Sequence, residues 1–367
     1  MNKQKLISYI QLINTKGIGP ISFKKLMDRY SDVDKALSEV SHKKVVFPRK
    51  RAEEEVMQAE IRGVKLITLE DKEYPYNLKQ IEDCPPILYA LGDINILNNS
   101  NMLAVVGARN ASLSALKMAE KFSGDLSQKD IVIVSGMARG IDTAAHTGAL
   151  KNNGKTIAVL GTGIDVVYPK ENQKIYENLK KEGLILSEFP FHTQPQNVNF
   201  PRRNRIVSGL SKGVMVIEAS INSGSLITAH CALDQGRDVY AIPGAPYDGR
   251  ASGCNKLIKD GAILIEKSED VLENFNYSPI EFVLPPKKIE NADLFEYSLD
   301  NAENNTDISE QKDEYSKLLS MISESGEEID ELIRAMGLPT EKVLSMIVEL
   351  ELDDKVVRVS GNRIAKT

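Results

Sequence analysis

The sequence is poor in the residues that build metal centres and disulfide frameworks. Its 367 residues include three cysteines and four histidines. Cys84, Cys231 and Cys254 are odd in number and far apart, which argues against a disulfide framework and against a zinc site built on paired cysteines. The histidines show no metal-ligand spacing. We therefore expect no metal ion, no other cofactor and a reducing, cytoplasmic environment.

Long apolar runs are also missing. The longest have the length of a β-strand, which argues against a membrane span. The N-terminus lacks the apolar core and the small-residue cleavage site of a signal peptide. An apolar fraction of 42% and a charged fraction of 27% are ordinary for a globular protein, and a length of 367 residues favours two or three domains.

Acidic residues outnumber basic ones, yet one short segment is strongly basic. The formal net charge is -6, but Arg202, Arg203 and Arg205 fall within four positions. An apolar run follows at residues 214–217, and then a loop of small residues, 223–225, opens a predicted helix. Arginines beside a loop with free backbone N–H groups suit a phosphate-bearing ligand. Local basicity in an acidic chain therefore indicates an anionic partner.

Four segments differ in pattern, which predicts the domain organisation. Residues 1–85 have helical spacing on both sides of a Gly-x-Gly turn, which predicts a small helical domain like a SAM or helix-hairpin-helix domain; a tight turn inside a helical bundle is favoured over a turn that presents N–H groups to a DNA phosphate. Residues 86–270 alternate strand-like and helix-like segments. Residues 271–312 are typical of a flexible acidic linker, and residues 313–367 suggest three helices and a hairpin, the outline of a winged helix.

The segment 86–270 predicts an α/β domain. Continuous apolar runs that alternate with helices imply a parallel sheet buried on both faces. The expected fold is an extended Rossmann-like, doubly wound, mostly parallel sheet. The runs are residues 102–106, 131–134, 156–160, 184–186, 214–217, 239–242 and 262–265.

Four of the predicted strands end in loops rich in glycine or other small residues. These loops begin at Gly107, Ser135, Gly161 and Glu218. Ligands of a parallel sheet bind at the carboxyl ends of its strands. Glycine lets the backbone approach a phosphate, and a following helix offers unpaired N–H donors. One such loop is weak evidence, but four at one edge, together with nearby arginines, favour an anionic ligand.

Two acidic residues are the remaining chemical candidates. Asp142 lies at a predicted helix start, where capping of free N–H groups is favoured over catalysis. Glu218 could be an acid or base in a nucleotide hydrolase, or it could anchor the loop 223–225 by accepting N–H bonds. The Walker-like segment 148–156 has the wrong spacing, and the elbow-like segment 209–213 precedes a strand, so neither supports its usual chemistry.

Several long motifs follow one another in a specific order. They are Ser135-Gly-Met-Ala-Arg-Gly-Ile-Asp142 and the segments 200–211, 224–228, 236–244 and 253–262. In this order they resemble the DNA-processing protein A family, also called DprA or Smf. The resemblance covers about residues 65–268 and, more loosely, both terminal segments.

The resemblance implies a function without catalysis. Members of this family bind single-stranded DNA, protect incoming DNA in natural transformation and load the RecA recombinase onto it, and they act as homodimers through the Rossmann-like domain. Single-strand-binding protein is a further partner to consider. The third helix of the predicted winged helix carries few basic residues, mainly Lys342, so either DNA or a protein could be its partner.

The resemblance and the strand-end loops together give a predicted site. Phe200 is expected to stack on a base, with packing beneath the loop that is expected to carry the arginines as the alternative. Asp142, Glu218 and Thr228 are predicted to hold loops in place. The predicted DNA- or phosphate-binding residues are Gly107, Arg109, Ser135, Gly136, Arg139, Gly140, Lys170, Phe200, Arg202, Arg203, Asn204, Arg205, Ser223, Gly224 and Ser225.

The rival hypothesis is a nucleotide-processing enzyme. The same Rossmann-like superfamily includes phosphoribohydrolases that cleave nucleoside monophosphates and carry a Pro-Gly-Gly-x-Gly-Thr loop. The corresponding segment here is Asn222-Ser-Gly-Ser-Leu-Ile-Thr228. It lacks most of those glycines, which disfavours catalysis.

Overall fold

The chain divides into two compact units, residues 1–280 and 281–367. The computed structural model describes residues 3–275, 318–319, 321–323, 327–338, 340, 343, 346–347, 350, 356–359 and 363–366. The predicted acidic linker lies largely outside these residues. Its first residues belong instead to a helix that ends at Phe275, because Val271 and Phe275 are buried.

Four helices form the N-terminal part of the first unit. Pro20 opens the second of them at a position where its missing N–H costs no hydrogen bond. Asp32 caps the third by accepting N–H bonds from Asp34 and Lys35. The helices are α1 (Lys3–Ile13), α2 (Pro20–Tyr30), α3 (Val33–Ser41) and α4 (Arg49–Arg62).

A nine-stranded sheet forms the centre of the first unit, in the order β1-β2-β6-β5-β4-β3-β7-β8-β9. The seven strands β6-β5-β4-β3-β7-β8-β9 are parallel to one another, whereas β2 is antiparallel to both β1 and β6. The strands are β1 (Lys65–Thr68), β2 (Ile87–Gly92), β3 (Met102–Val106), β4 (Val132–Ser135), β5 (Thr156–Leu160), β6 (Leu184–Ser187), β7 (Gly213–Val216), β8 (Asp238–Ala241) and β9 (Ile263–Leu264).

Helices connect the strands, as the alternation of apolar runs predicts. The fold class is therefore confirmed as a mostly parallel, Rossmann-like α/β sheet. Within the described parts of the chain, no helix is long and apolar enough to cross a membrane. The helices are α5 (Tyr76–Lys79), α6 (Leu113–Ser127), α7 (Ile141–Lys151), α8 (Gln173–Glu182), α9 (Asn199–Leu210), α10 (Gly224–Asp234), α11 (Ser252–Lys259) and α12 (Ser268–Phe275), with 3-10 turns at Ile94–Asn98 and Lys170–Asn172.

The N-terminal helices and the sheet share a hydrophobic core. Tyr9 and Phe23 of the helices belong to the same buried cluster as Tyr89 of β2 and Leu160 of β5. The edge strand β1 lies within the segment 1–85, so the sheet begins earlier than residue 86. The domain boundary near residue 85 stays a prediction.

The second unit is built around a three-stranded antiparallel sheet. Strands β10 (Glu327–Glu328), β12 (Arg363–Lys366) and β11 (Val356–Val359) lie side by side in that order, and α13 (Ile329–Met336) follows β10. The pairing of β11 with β12 is the predicted terminal hairpin. Ile329 and Ile364 are buried in the same small core. Described residues of the other two predicted helices, such as Leu318 and Val343, are also helical.

Candidate nucleic-acid interface

A large cleft of the first unit lies where the order of the strands reverses. From β3 the chain proceeds to one side through β4, β5 and β6, and then crosses to β7, β8 and β9 on the other side. A parallel sheet opens a crevice at the carboxyl ends of its strands at such a point. The cleft there has a volume of about 540 Å³. It is lined by loops that follow β3, β4 and β7 and by the start of α9.

Eleven of the predicted site residues meet in this cleft. They come from four separate segments of the chain, which the sheet topology brings together. They are Gly107, Arg109, Gly136, Asp142, Phe200, Arg203, Asn204, Ser223, Gly224, Ser225 and Thr228.

Backbone donors face the cleft at the start of α10. Ser223 caps this helix, with its Oγ 3.4 Å from the backbone N of Ser225 and 2.7 Å from the Ser225 Oγ. The first N–H groups of a helix have no partner within it and carry partial positive charge. Because the cap takes up the Ser225 N–H, the Gly224 N–H and the positive end of the helix dipole present an anion-binding surface on the cleft wall.

Two glycines of the strand-end loops are required by packing. A Cβ at residue 107 would lie 2.6 Å from Cγ1 of Ile141, and one at residue 136 would lie 1.9 Å from Nη1 of Arg203. The Gly107 loop is also tied to the next strand end, since the Ala108 N–H donates to the Glu218 carbonyl oxygen at 2.7 Å. These loops therefore approach their neighbours more closely than any side chain would permit.

Arg203 is the buried cation of the cleft. It is only 4% exposed, and its Nη1 donates to the Val159 carbonyl oxygen at 2.5 Å. Its Nε has no hydrogen-bond partner among the described residues. Burial lowers the pKa of Arg203 to about 10, against the opposing effect of Asp142, so the guanidinium keeps its charge at neutral pH.

Asp142 is the buried acid beside this cation. Its Oδ2 accepts N–H bonds from Gly136 at 3.1 Å and from Ala138 at 3.2 Å, so it holds the loop that precedes α7. Burial raises the pKa of Asp142, while Arg203 and the two N–H bonds act in the opposite direction. Asp142 and Arg203 therefore interact electrostatically at the cleft, which both residues line.

Phe200 lies between a cation and an aromatic ring. The Arg109 guanidinium carbon is 5.4 Å from the Phe200 ring centre, and the Tyr168 ring centre is 5.5 Å from it. Gly161 leaves room for the ring, since a Cβ there would be 2.8 Å from Cδ1 of Phe200. Phe200 is only half-buried, and it lines both the large cleft and a smaller neighbouring cavity that also includes Arg139.

The arginine segment is a helix, which corrects the interpretation of residues 199–205 as a loop. It forms the first turns of α9. Pro201 lies within the first turn, where its missing N–H does not interrupt the helix. The helix directs its arginines differently: Arg202 is exposed, whereas Arg203 and Arg205 are buried.

Arg205 is held inside the protein. Its Nε lies 3.1 Å from Oδ2 of Asp83, and its Nη2 lies 2.5 Å from Oε2 of Glu188. The Arg205 side chain is 10% exposed and does not line the cleft. This geometry assigns Arg205 to holding α9 against the end of β6, in contrast to the phosphate contact predicted for it.

The remaining predicted residues lie outside the large cleft. Ser135 is buried and donates its hydroxyl to the Val105 carbonyl oxygen at 2.7 Å. Arg139 forms an ion pair with Glu171, and Lys170 is an exposed residue of the neighbouring 3-10 turn. Gly140 has a φ of 77°, and a Cβ there would be 2.3 Å from the Ala108 carbonyl oxygen, so its role is conformational.

Glu218 anchors a different loop from the one predicted. Its carboxylate accepts bonds from the Ser112 N–H at 2.9 Å and the Ser112 hydroxyl at 2.6 Å. Among the described residues, neither carboxylate oxygen of Glu218 accepts a bond from the loop 223–225. Because Ser112 caps α6, Glu218 fixes the loop that carries Arg109. Thr228 is buried on the cleft wall.

Sequence reasoning missed several cleft residues. The signal for Arg250 was available, because it follows β8 and so lies after another strand end; it pairs with Asp248 at 2.9 Å. Tyr168 lines the smaller neighbouring cavity, where the fold brings it against Phe200. The other missed cleft residues include Asn110, Asn197 and Ser220.

Comparison with known proteins identifies the family. Residues 65–276 match the family described as DNA recombination-mediator protein A, and residues 302–362 match the DprA winged helix domain. The chain belongs to the DprA/Smf family. The predicted resemblance is thereby confirmed, and so is the presence of a winged helix. Members of the family are DNA-processing recombination mediators.

Two curated relatives illustrate the similarity. DNA processing protein DprA of Streptococcus pneumoniae is 48% identical over 204 residues, which cover 56% of this chain and 72% of that protein. Protein Smf of Escherichia coli is 36% identical over 322 residues, which cover 87% of this chain and 82% of that protein. The similarity to Smf therefore extends well beyond the Rossmann-like segment.

Two solved structures share the fold. The X-ray structure of DNA processing protein A from Streptococcus pneumoniae has a TM-score of 0.65 and 36% identity, and covers 74% of this chain and 99% of that chain. A structure of DNA processing protein A from Helicobacter pylori, which addresses that protein's single-stranded DNA binding mode, has a TM-score of 0.53 and 29% identity, and covers 57% of this chain and 95% of that chain.

Proposed function

We propose that this chain binds single-stranded DNA in the cleft between the ends of β3 and β7. The observation that supports this most strongly is the convergence of Arg109, Arg203 and the N-terminus of α10 on one cleft. Cations and unpaired N–H groups are the groups that bind phosphates. The DNA-processing family and the DNA-binding relative from Helicobacter pylori support the same ligand.

Each cleft residue has a proposed part in binding. Arg109 is exposed and contacts a phosphate, while the Gly224 N–H at the start of α10 binds a neighbouring one. Arg203 supplies positive potential from below, because its Nη1 is already bonded to Val159. Phe200 offers a ring on which a base can stack, a contact worth about 1–3 kcal/mol that does not depend strongly on sequence.

The cellular role follows from the family resemblance. We propose that the protein protects incoming single strands in natural transformation and loads RecA recombinase onto them, as a homodimer in the cytoplasm. Single-strand-binding protein is a further proposed partner. The nucleotide-hydrolase alternative is disfavoured, because the Glu218 carboxylate is bonded to Ser112 and does not line the cleft.

Replacing Arg109 tests the site. We expect Arg109→Ala to weaken binding of a single-stranded oligonucleotide and to reduce the slope of log affinity against log salt by about 0.7, the value for one phosphate contact on a single strand. Affinity is measured by fluorescence anisotropy of a labelled oligonucleotide at several salt concentrations.

Lys129→Ala is the matched control. Lys129 is exposed and precedes the amino end of β4, at the edge of the sheet opposite the cleft. This substitution also removes one positive charge, but it should leave the slope of log affinity against log salt unchanged. Equal effects of the two substitutions would refute the site, and wild-type affinity indifferent to salt would refute the proposed function.

A further inference from the structure

A second, smaller cavity lies on the other side of α9. It has a volume of about 180 Å³, enough for a single ring system rather than a drug-sized molecule. The turn between α1 and α2 forms one wall, and the end of β6 with Arg202 forms another. Its lining includes Ile18, Gly19, Pro85, Tyr89, Glu188, Phe189 and Arg202.

Glu188 brings an unsatisfied acceptor to this cavity. Its side chain is 7% exposed, and its Oε1 has no hydrogen-bond partner among the described residues. The other oxygen, Oε2, is bonded to Arg205. A buried acceptor without a partner costs free energy, which a ligand with an N–H group would recover.

The charges around Glu188 define the class of donor. Arg205 lies 2.5 Å from its Oε2, and Arg202 also acts on it from the cavity rim. Arg205 also pairs with Asp83, so two guanidinium groups already balance two carboxylates, and an added cation would be an unpaired buried charge. A neutral N–H donor fits the free oxygen better than a lysine or an arginine of a partner protein.

The walls suit a flat, apolar ring. Phe189, Tyr89 and four prolines line the cavity, and the Arg202 guanidinium lies 5.8 Å from the Phe189 ring centre. Arg202 is exposed at the rim, where it can meet a phosphate. A ring that carries an N–H donor and is attached to a phosphate is a nucleotide base.

We propose that this cavity is a base-binding subsite for the same DNA strand, selective for bases with an exocyclic amino group. This inference rests on the proposed function, the binding of single-stranded DNA. Arg202 and Arg203 are neighbours in α9 and line the two cavities on opposite sides of this helix, so a strand that crosses the start of α9 reaches both. Cytosine N4 donates to carboxylates. Thymine lacks an amino group, and its carbonyl oxygens would face Oε1.

The test compares single-stranded DNA oligonucleotides of twenty deoxycytidines (the cytidine oligonucleotide) and of twenty thymidines at one salt concentration. The intact wild-type chain should bind the cytidine oligonucleotide on the order of tenfold more tightly. Glu188→Gln can keep an oxygen on Arg205 and turn its amide NH₂ towards the cavity. Because that group donates to thymine carbonyls, the preference should disappear or invert.

A second variant leaves the ion pair intact. Gly19 lies on the cavity wall with a φ of -99°, and no atom lies within 4 Å of a Cβ placed there. Gly19→Leu can fill the cavity without backbone strain. It should reduce the cytidine-to-thymidine ratio to about one through weaker binding of the cytidine oligonucleotide, with thymidine binding retained.

The outcomes separate the two proposals. A wild type that binds neither oligonucleotide overturns the proposed function and the inference together. A wild type that binds both equally, or a preference that survives both substitutions, overturns the subsite alone. The cavity would then accept another group, such as a side chain of a partner protein.

Discussion

Single residues set the geometry of the cleft floor through very close contacts. Gly136 leaves the space in which the Arg203 guanidinium lies, and Asp142 fixes the same loop from the other side. Arg203 in turn bonds to the end of β5. The loop after β4, the helix α9 and the strand β5 are therefore positioned by one buried charged group.

Gly136→Ala tests this arrangement. The added methyl group would lie 1.9 Å from Nη1 of Arg203 and should force the guanidinium away from Val159. We expect the free energy of unfolding to fall by about 1–3 kcal/mol, as in other overpacked sites, and single-strand affinity to fall with it. Chemical denaturation and anisotropy measure the two effects.

Gly249→Ala is the control for this substitution. No atom lies within 4 Å of a Cβ at residue 249, so this variant should keep wild-type stability and affinity. Wild-type stability in Gly136→Ala would show that Arg203 has room to move and that the close contact is unimportant.

Long-range partners were the part of the site that the sequence could not predict. The strand-end loops could be located because each follows an apolar run. The bonds from Ser112 to Glu218, by contrast, span 106 positions, and the pairing of Arg205 with Asp83 joins segments that only the fold brings together. Arginine content alone therefore could not separate the exposed Arg202 from the buried Arg203 and Arg205.

At the scale of elements, α9 gives the cleft and the small cavity a common wall. Successive residues of a helix point about 100° apart, so Arg202 and Arg203 face different sides. Clustered arginines and Pro201 favoured a loop at this position. The helix forms because Pro201 falls in its first turn and Ile206, Val207 and Leu210 bury an apolar stripe against the sheet.

The ion pair between Arg205 and Glu188 fastens this helix. We expect Arg205→Met to lower the free energy of unfolding by about 3–5 kcal/mol, because it leaves the Glu188 charge buried without its partner. Chemical denaturation measures the loss. Arg202→Met should cost less than about 1 kcal/mol, since Arg202 is exposed and its guanidinium lies over the Phe189 ring. Similar losses of stability in the two variants would show that the buried ion pair stabilises the fold no more than the exposed Arg202 does.

The seven apolar runs predicted as strands all occur in the sheet, with ends shifted by a residue or two. Continuous apolar runs are a strong signal because both faces of a parallel sheet are covered. The antiparallel strands β1 and β2 were not predicted. They extend the sheet beyond β6, and β1 lies in a segment whose overall pattern is helical.

At the scale of the whole molecule, the proposed DNA contacts all lie in one of the two compact units. Every residue that lines the large cleft falls within residues 1–280, which have their own hydrophobic core. The winged helix belongs to the other unit. The proposed DNA contacts therefore do not depend on the winged helix, and the first unit can be studied without it.

A fragment of residues 1–280 tests this separation. We expect it to bind single-stranded oligonucleotides with the affinity and salt slope of the full chain, because it retains all the proposed phosphate contacts. Anisotropy titrations of both proteins give the comparison. Weaker binding or a shallower slope in the fragment would assign phosphate contacts to residues 281–367, provided that circular dichroism shows the fragment folded.

Phe200 has an aromatic ring and a cation of the protein itself as neighbours. Tyr168 and Arg109 cover its ring much as a base and a phosphate-bound cation would. In the proposed mode of binding, a base that stacks on Phe200 would compete with Tyr168, and the affinity would report the difference between the two contacts. Tyr168 and Arg109 would thus shield the Phe200 ring from water at the expense of part of the free energy of strand binding.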